Sequence, residues 1–149
     1  MILEYRKAIP EDTAVCLNIR GRTSENAWSI EQLSEIGITH EMWSNGIKDG
    51  AIPGYVCLTN NQIVGYCFAD KENGEICVVA ILPEYENLGI GKNLLQKVIC
   101  DLKKHGFKKL FLGCSADPKS RSYGFYRHIG WKFTGEIDSN NDEILELIL

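Results

Sequence analysis

The hydrophobic pattern changes its period at Pro83, and this change limits the chain to folds that combine strands with helices. Before Pro83, residues 75–82 are nearly all apolar or β-branched, which is typical of a central strand. After it, apolar residues recur along one helical face: Ile90, Leu94, Leu95, Val98, Ile99 and Leu102. The sequence therefore predicts a strand, a glycine-containing loop and a helix in direct succession.

Turn and cap residues divide the rest of the chain. The N-terminal part predicts a strand at 3–9 and a helix from Pro10. A second helix should start at a capping box (29–32). Gly37 interrupts this helix, which restarts at Thr39 and ends near Gly50. The middle predicts strands at 54–59, 62–70 and 75–82 as an antiparallel meander, with turns at 60–61 and 72–74. The helix from Ile90 should end before Gly106. A strand at 109–114, a helix begun by Asp117 and Pro118, and a closing hairpin of strands 131–135 and 143–149 complete the prediction.

The elements together predict one α+β domain over residues 1–149, with a mixed sheet and helices on its faces. A length of 149 residues suits a single domain, and an apolar fraction of 44% with a charged fraction of 24% is ordinary for a globular protein. No repeat, linker or low-complexity stretch divides the chain.

Charge and cysteine usage exclude several classes of partner. A net charge of −4 argues against nucleic acid, which needs a clustered basic surface. No apolar run approaches the length of a membrane span, and the start lacks a signal-peptide pattern. The six cysteines have no metal-binding spacing to one another or to histidine, so we expect no metal site. Most lie in apolar runs and favour buried free thiols in a reduced, cytoplasmic protein.

The glycine-containing loop, residues 83–93, is the part of the sequence that indicates chemistry. Free N–H groups at a helix start, with glycines that let an anion approach, suit a pyrophosphate, although a plain tight turn fits the same residues. A nucleotide phosphate loop is disfavoured, because Glu86 stands where its first glycine belongs and Asn93 replaces its hydroxyl residue. A dinucleotide fingerprint is disfavoured because Leu94 replaces its third glycine.

A wider pattern resembles the GNAT superfamily of acetyl-coenzyme A-dependent N-acetyltransferases. Its residues are Ile81-x-Pro83-Glu84-Tyr85, Gly89-Ile90-Gly91-Lys92-x-Leu94-Leu95 and, later, Phe125-Tyr126-x-x-x-Gly130-Trp131. The predicted order of elements is similar to that of the family along nearly the whole chain. The resemblance implies a parallel pair of strands, 75–82 and 109–114, that splay apart to hold the cofactor.

The resemblance also implies which residues bind acetyl-coenzyme A. Backbone groups of the splayed strand, at Val79, Ala80 and Ile81, would pair with the pantetheine arm as an added strand does. Backbone N–H groups of the loop would hold the pyrophosphate: Asn87, Leu88, Gly89, Ile90, Gly91 and Lys92. The N–H near Ile81 would stabilise an oxyanion. Two residues depart from the family pattern: Glu86 replaces Gln or Arg, and Lys119 replaces an Asn that contacts the arm.

Two residues are candidates for catalysis by the same resemblance. Tyr126 would be the general acid that protonates the departing sulfur, and the alternative is a packed aromatic residue. Glu75 would be the general base, acting directly or through water, and the alternative is a charged residue beside a turn. The resemblance implies direct transfer to a primary amine of a small molecule or protein.

Residues 20–43 should line the acceptor pocket, and solvated helix faces with tryptophan in the core are an equally good interpretation of them. The resemblance also implies a homodimer, because the C-terminal strands of relatives often pair. Two other functions stay open on the sequence. One is a regulatory module that binds coenzyme A without catalysis, which the two departures favour. The other is a nucleotide phosphotransferase.

Overall fold

The computed structural model describes Met1–Leu149. Five α-helices and seven strands follow one another in this order: β1 (Glu4–Lys7), α1 (Thr13–Arg20), α2 (Ile30–Glu35), α3 (His40–Asp49), β2 (Gly54–Thr59), β3 (Gln62–Asp70), β4 (Glu75–Ile81), α4 (Ile90–Lys104), β5 (Lys109–Cys114), α5 (Arg121–His128), β6 (Lys132–Ile137) and β7 (Glu143–Ile148). No helix is long and apolar enough to cross a membrane.

The strands form a single mixed sheet in the order β1-β2-β3-β4-β5-β7-β6. Every neighbouring pair is antiparallel except β4 and β5, which are parallel and are joined through α4. The predicted fold class is confirmed, including the antiparallel meander of β2, β3 and β4 and the closing hairpin of β6 and β7.

The helices cover both faces of this sheet, as the sequence predicts. Successive residues of a strand face opposite sides. The hydroxyl of Tyr66 in β3 donates to the carbonyl of Cys16 in α1 at 2.9 Å, and its ring meets Trp43 of α3 edge-on. A Cβ on the neighbouring Gly65 would lie 3.3 Å from Ile90 of α4. Helices α1 and α3 therefore lie on one face and α4 on the other.

Short-range turn chemistry explains the meander. Asn60 and Asn61 both adopt left-handed backbone angles, with φ of 51° and 62°, which asparagine tolerates and a two-residue hairpin requires. Gly74, with φ of 82°, closes the next turn. A Cβ there would also approach Phe107 to 3.0 Å, so both conformation and space favour glycine at this position.

Helix boundaries show where local signals compete. The region 29–50 forms two helices, α2 and α3; the Ser29–Gln32 capping box is present, with the Gln32 N–H donating to Ser29 Oγ at 3.1 Å. Pro10 opens a short 3₁₀ turn that precedes α1. The predicted start of α5 at Asp117 is wrong. Asp117 accepts the Lys119 N–H within a turn, and Ser120 caps the helix at Arg121.

The six cysteines are all free thiols, as expected. Cys16, Cys57, Cys67 and Cys114 are buried, whereas Cys77 and Cys100 are exposed. The buried four take part in one continuous apolar core together with the inner face of α4, which buries Ile90, Leu94, Leu95, Val98 and Leu102.

The parallel pair β4 and β5 separates soon after it begins. Only Glu75 and Phe111 are in register, and the two strands do not pair beyond that point. Between β3 and β4 the register shifts so that Cys77 is an extra residue, which is a β-bulge. Bulges bend a strand and increase its twist, so the bulge at Cys77 turns β4 away from β5 and opens the sheet.

A buried carboxylate joins β1 to the start of α1. Asp12 is 5% exposed. It accepts hydrogen bonds from both Nη atoms of Arg6, at 2.8 and 3.0 Å, and from the Ile9 N–H at 2.9 Å.

We expect Asp12→Ala to lower the free energy of unfolding by about 2 kcal/mol, because it leaves these donors without their acceptor. Urea denaturation measures this. Glu11→Ala removes an exposed carboxylate from the same turn and should change stability by less than about 0.5 kcal/mol; equal losses would contradict the prediction.

Candidate active site

The separation of β4 from β5 opens a cleft of about 900 Å³. Its walls are β4 and the end of β5, and its ends are closed by the first turn of α4, by α5 and by the connection between α1 and α2. Residues far apart in the chain therefore meet around a gap in the sheet.

Unpaired backbone groups line one wall of the cleft. The Leu82 N–H donates to Val64 of β3 at 2.9 Å. Because backbone N–H groups alternate in direction along a strand, those of Ile81 and Val79 point the other way, into the cleft. Ala80 has its backbone directed to β3 and its side chain buried, and it does not line the cleft. Two of the three predicted β4 residues thus present donors there.

The first turn of α4 presents the largest set of free donors. Asn87 and Gly89 have left-handed φ angles of 64° and 78°, and the first helical hydrogen bond runs from the Asn93 N–H to Gly89 at 3.1 Å. The N–H groups of the six residues 87–92 donate to no acceptor in the chain. Four of them, from Gly89 to Lys92, are free at any helix start, and the left-handed turn adds those of Asn87 and Leu88; such a set of donors suits an anion.

The predicted loop residues differ in what their side chains do. Asn87, Gly89, Ile90, Gly91 and Lys92 line the cleft, whereas the Leu88 side chain is exposed outside it. A Cβ on Gly91 would lie 3.5 Å from Phe125 of α5 and 3.7 Å from Val79 of β4. These are ordinary van der Waals distances, so α4, α5 and β4 meet at Gly91, and the space there would accommodate a Cβ.

Tyr126 reaches the cleft from α5. Its ring is buried and packs edge-on against Phe125 and Trp131, with centroids 5.0 and 6.0 Å away. Its hydroxyl makes no hydrogen bond within the chain. The only fully buried polar side-chain atoms without a hydrogen-bond partner are the ring nitrogens of Trp43 and Trp131, so the Tyr126 hydroxyl is not fully buried. The hydroxyl is therefore the end of Tyr126 that opens to the cleft. Burial raises the pKa of Tyr126, so the phenol stays protonated.

Glu75 lies at the point where β4 and β5 still touch, two residues before Cys77, and it does not line the cleft itself. Burial raises the pKa of its carboxyl, and the neighbouring Asp70 and Asp138 raise it further. Asp142 lines the cleft, and its pKa is raised by burial and by Asp138. Four carboxylates therefore gather at this end of the cleft, opposite the free donors of α4.

Several residues near the cleft carry no clear sequence signal. Arg121 pairs with Glu86, one of the two departures, across 35 positions of sequence. Asp138 and Asp142 come from the β6–β7 turn. Lys119, the other departure, does not line the cleft. No motif marks these contacts, because they depend on how distant elements pack.

The segment predicted to form an acceptor pocket reaches the cleft only in part. Arg20, Thr23, Ser24, Glu25 and Asn26 line it. Trp43 instead lies in the core, with its ring 5.1 Å from that of Phe68. No group of three or more metal-ligating side chains occurs in the structure.

The sheet of this protein is mixed, and it opens between two parallel strands beside a helix start that contains glycine. This arrangement defines a class of acyl-transferring domains, and comparison with known proteins identifies the family. Residues 14–131 match the model of the Acetyltransferase (GNAT) family, so the chain belongs to that family and is an acetyltransferase. It is 33% identical over 113 residues to the [ribosomal protein bS18]-alanine N-acetyltransferase of Haemophilus influenzae, covering 72% of this chain and 73% of that protein.

Solved structures support the same fold. The paia N-acetyltransferase of Thermoplasma acidophilum, in complex with coenzyme A, superposes with a TM-score of 0.82 at 22% identity over the whole of both chains. The structure of yncA from Salmonella typhimurium, with its cofactor acetyl-CoA, has a TM-score of 0.77 at 15% identity, over 100% of this chain and 95% of that one.

Cys77 gives a chemical probe of the cleft. It lines the cleft at the bulge and is exposed to solvent, and its pKa is raised to about 12 by desolvation within the cleft and by the charges of Glu75 and Asp70. Since the thiolate is the nucleophile, we expect alkylation of Cys77 by iodoacetamide to accelerate about tenfold per pH unit between pH 7 and 9. Peptide mapping by mass spectrometry measures the rate, and Cys77→Ser supplies the blank. A rate that levels off below pH 9 would contradict the raised pKa.

Proposed function

We propose that this acetyltransferase moves the acetyl group of acetyl-coenzyme A to a primary amine, by direct attack when both are bound. The observation that carries the proposal is the run of six free N–H groups at the start of α4, beside the unpaired edge of β4. Both are backbone features that a phosphate-bearing, amide-bearing ligand would satisfy.

The residues present fit such a cofactor. The N–H groups of residues 87–92 would hold the diphosphate, and the Val79 and Ile81 edge of β4 would pair with the amides of the pantetheine arm. Bound acetyl-coenzyme A supplies an acetyl group already activated as a thioester. The Ile81 N–H, directed into the cleft, is placed to stabilise negative charge on an acyl oxygen.

Tyr126 is proposed as the general acid. The open phenol hydroxyl and the raised pKa mean that a proton is held at the wall of the cleft at neutral pH. Ring packing against Phe125 and Trp131 fixes the position of the phenol oxygen. The hydroxyl has no competing partner in the chain, so it is free to donate to a departing sulfur.

Glu75 is proposed as the general base, acting through water because it lies beyond the lining of the cleft. A raised carboxyl pKa makes it a better proton acceptor at neutral pH than an ordinary surface carboxylate. The surrounding Asp70, Asp138 and Asp142 would attract a cationic amine to this end of the cleft.

Direct transfer is favoured by the state of the thiols in the cleft. Burial raises the pKa of Cys77 to about 12 and also raises that of Cys114, so both are protonated at neutral pH. Protonated thiols are poor nucleophiles, and this disfavours a cysteine that carries the acetyl group between cofactor and acceptor.

The first experiment measures the thermal midpoint with acetyl-coenzyme A, ATP and NADH, followed by thiol release with an amine panel. A rise with acetyl-coenzyme A alone is expected, because a ligand of the native state stabilises it. Similarity to the bS18-alanine enzyme places a peptide with N-terminal alanine first on the panel, followed by polyamines and aminoglycosides. No rise at millimolar cofactor would refute the proposal. Binding without turnover on any amine would favour a non-catalytic module.

We expect Tyr126→Phe to lower kcat by about 100-fold, because the general acid is lost. The dissociation constant for coenzyme A, measured by calorimetry, should stay unchanged, since the ring packing is kept. Tyr123→Phe is the matched control, because Tyr123 lies on the same helix but outside the cleft, with Arg127 Cζ 3.6 Å above the centre of its ring. Loss of the Tyr123 hydroxyl should leave kcat unchanged. An unchanged kcat for Tyr126→Phe would remove it from the mechanism.

The role of Glu75 predicts a particular pH profile. Both the acceptor amine and Glu75 must be deprotonated, so the logarithm of kcat/KM should rise with slope about two below the raised pKa of Glu75 and about one above it. Glu75→Gln should lower the maximum about tenfold or more and leave slope one throughout. Asp70→Asn should move the break to lower pH, because it removes a charge that raises the Glu75 pKa. A Glu75→Gln profile identical to wild type would show that Glu75 is not the base.

A further inference from the structure

Arg121, the first residue of α5, is bound to the loop before α4 by two contacts. Its Nη1 atom forms an ion pair with Oε2 of Glu86, and its Nη2 atom donates to Oδ1 of Asn87 at 3.2 Å. Glu86 immediately precedes the run of free N–H groups, and Asn87 is the first residue of that run. The guanidinium therefore lies beside the donors proposed to hold a diphosphate.

The same contacts tie in the connection between α1 and α2. The Ser24 hydroxyl donates to Oε1 of Glu86. The Arg121 backbone N–H donates to both carboxylate oxygens of Glu25, at 3.1 and 3.2 Å. All five residues line the cleft at its α4 end. Three separate segments are thus joined by a polar network at that end, with Arg121 as its common member.

The charges in this network indicate what it does. Next to donors for an anion, the carboxylate of Glu86 is unfavourable unless a cation neutralises it. Arg121 supplies that cation, but the pair is accessible: 48% of the Arg121 side chain and 20% of the Glu86 side chain are exposed. Accessible ion pairs of this kind are weak, because water screens them and both side chains lose freedom. Glu86 accepts only one guanidinium N–H from Arg121, whereas a phosphate can accept two at once and carries more negative charge.

We propose that Arg121 is an exchangeable phosphate ligand: it pairs with Glu86 and Asn87 in the free protein and transfers to the cofactor's phosphates on binding. Glu86 then keeps its hydrogen bond from Ser24 and acts as the competitor that weakens cofactor binding. The proposal rests on the proposed function for the identity of the anion. It explains how a glutamate can stand beside a diphosphate site, because the required positive charge comes from α5.

Calorimetric titration with coenzyme A tests the exchange through the sign of two effects. Arg121→Gln should weaken binding about tenfold, as loss of one charge-assisted contact implies. Glu86→Gln should tighten it about threefold or more, because Arg121 no longer has a competing carboxylate. Pantetheine, which lacks phosphate, should bind all variants alike. Lys119→Gln removes a nearby exposed cation that does not line the cleft and should leave affinity unchanged.

Other results would overturn the exchange. If the pair only holds the loop in place, Arg121→Gln and Glu86→Gln should change affinity in the same direction. Wild-type affinity in Arg121→Gln would also refute it. Thermal midpoints without ligand verify folding, and Arg121→Lys, which keeps the charge, should recover part of the affinity if Arg121→Gln proves unstable. Failure of the wild-type protein to bind coenzyme A would instead refute the proposed function itself.

Discussion

The gap between β4 and β5 is the constraint on which the rest of the site depends. Two parallel strands that meet only at Glu75 and Phe111 leave their facing backbone edges without partners in the chain. Unpaired backbone groups are tolerated where water or a ligand can reach them. The bulge at Cys77 bends β4 where the gap opens, and Phe125 of α5 and Val79 of β4 both lie close to Gly91 of α4.

Opposite electrostatic environments occupy the two ends of this gap. At the α4 end, six N–H groups and the helix dipole favour an anion, and Arg121 offsets the charge of Glu86. At the other end, Asp70, Glu75, Asp138 and Asp142 favour a cation. Under the proposed function, a phosphate-bearing donor would therefore occupy the α4 end, and a cationic amine would be attracted to the other. The net charge of −4 does not prevent this, because local dipoles and not the total charge act at short range.

The sequence predicts the elements well and the contacts between them poorly, and the reason is physical. The strand–loop–helix unit follows from a change of period, and the Asn60–Asn61 turn from backbone preference, both of which are local. The sequence misplaces the start of α5 because Asp117 and Ser120 are equally good cap residues, and only Ser120 caps the helix. The bulge at Cys77 has no glycine or proline to mark it. The Glu86–Arg121 pair joins residues 35 positions apart, which no local pattern encodes.

The single pairing between β4 and β5 also divides the sheet mechanically. Strands β1 to β4 form one continuous hydrogen-bonded ladder and β5, β7 and β6 form another. What joins them is mostly side-chain packing, such as Phe125 against Gly91 and Phe107 against Gly74. Regions held together by few backbone hydrogen bonds open separately in native-state fluctuations. The gap that forms the site is therefore also the boundary along which we expect the C-terminal hairpin and β5 to open first, although one apolar core spans both ladders.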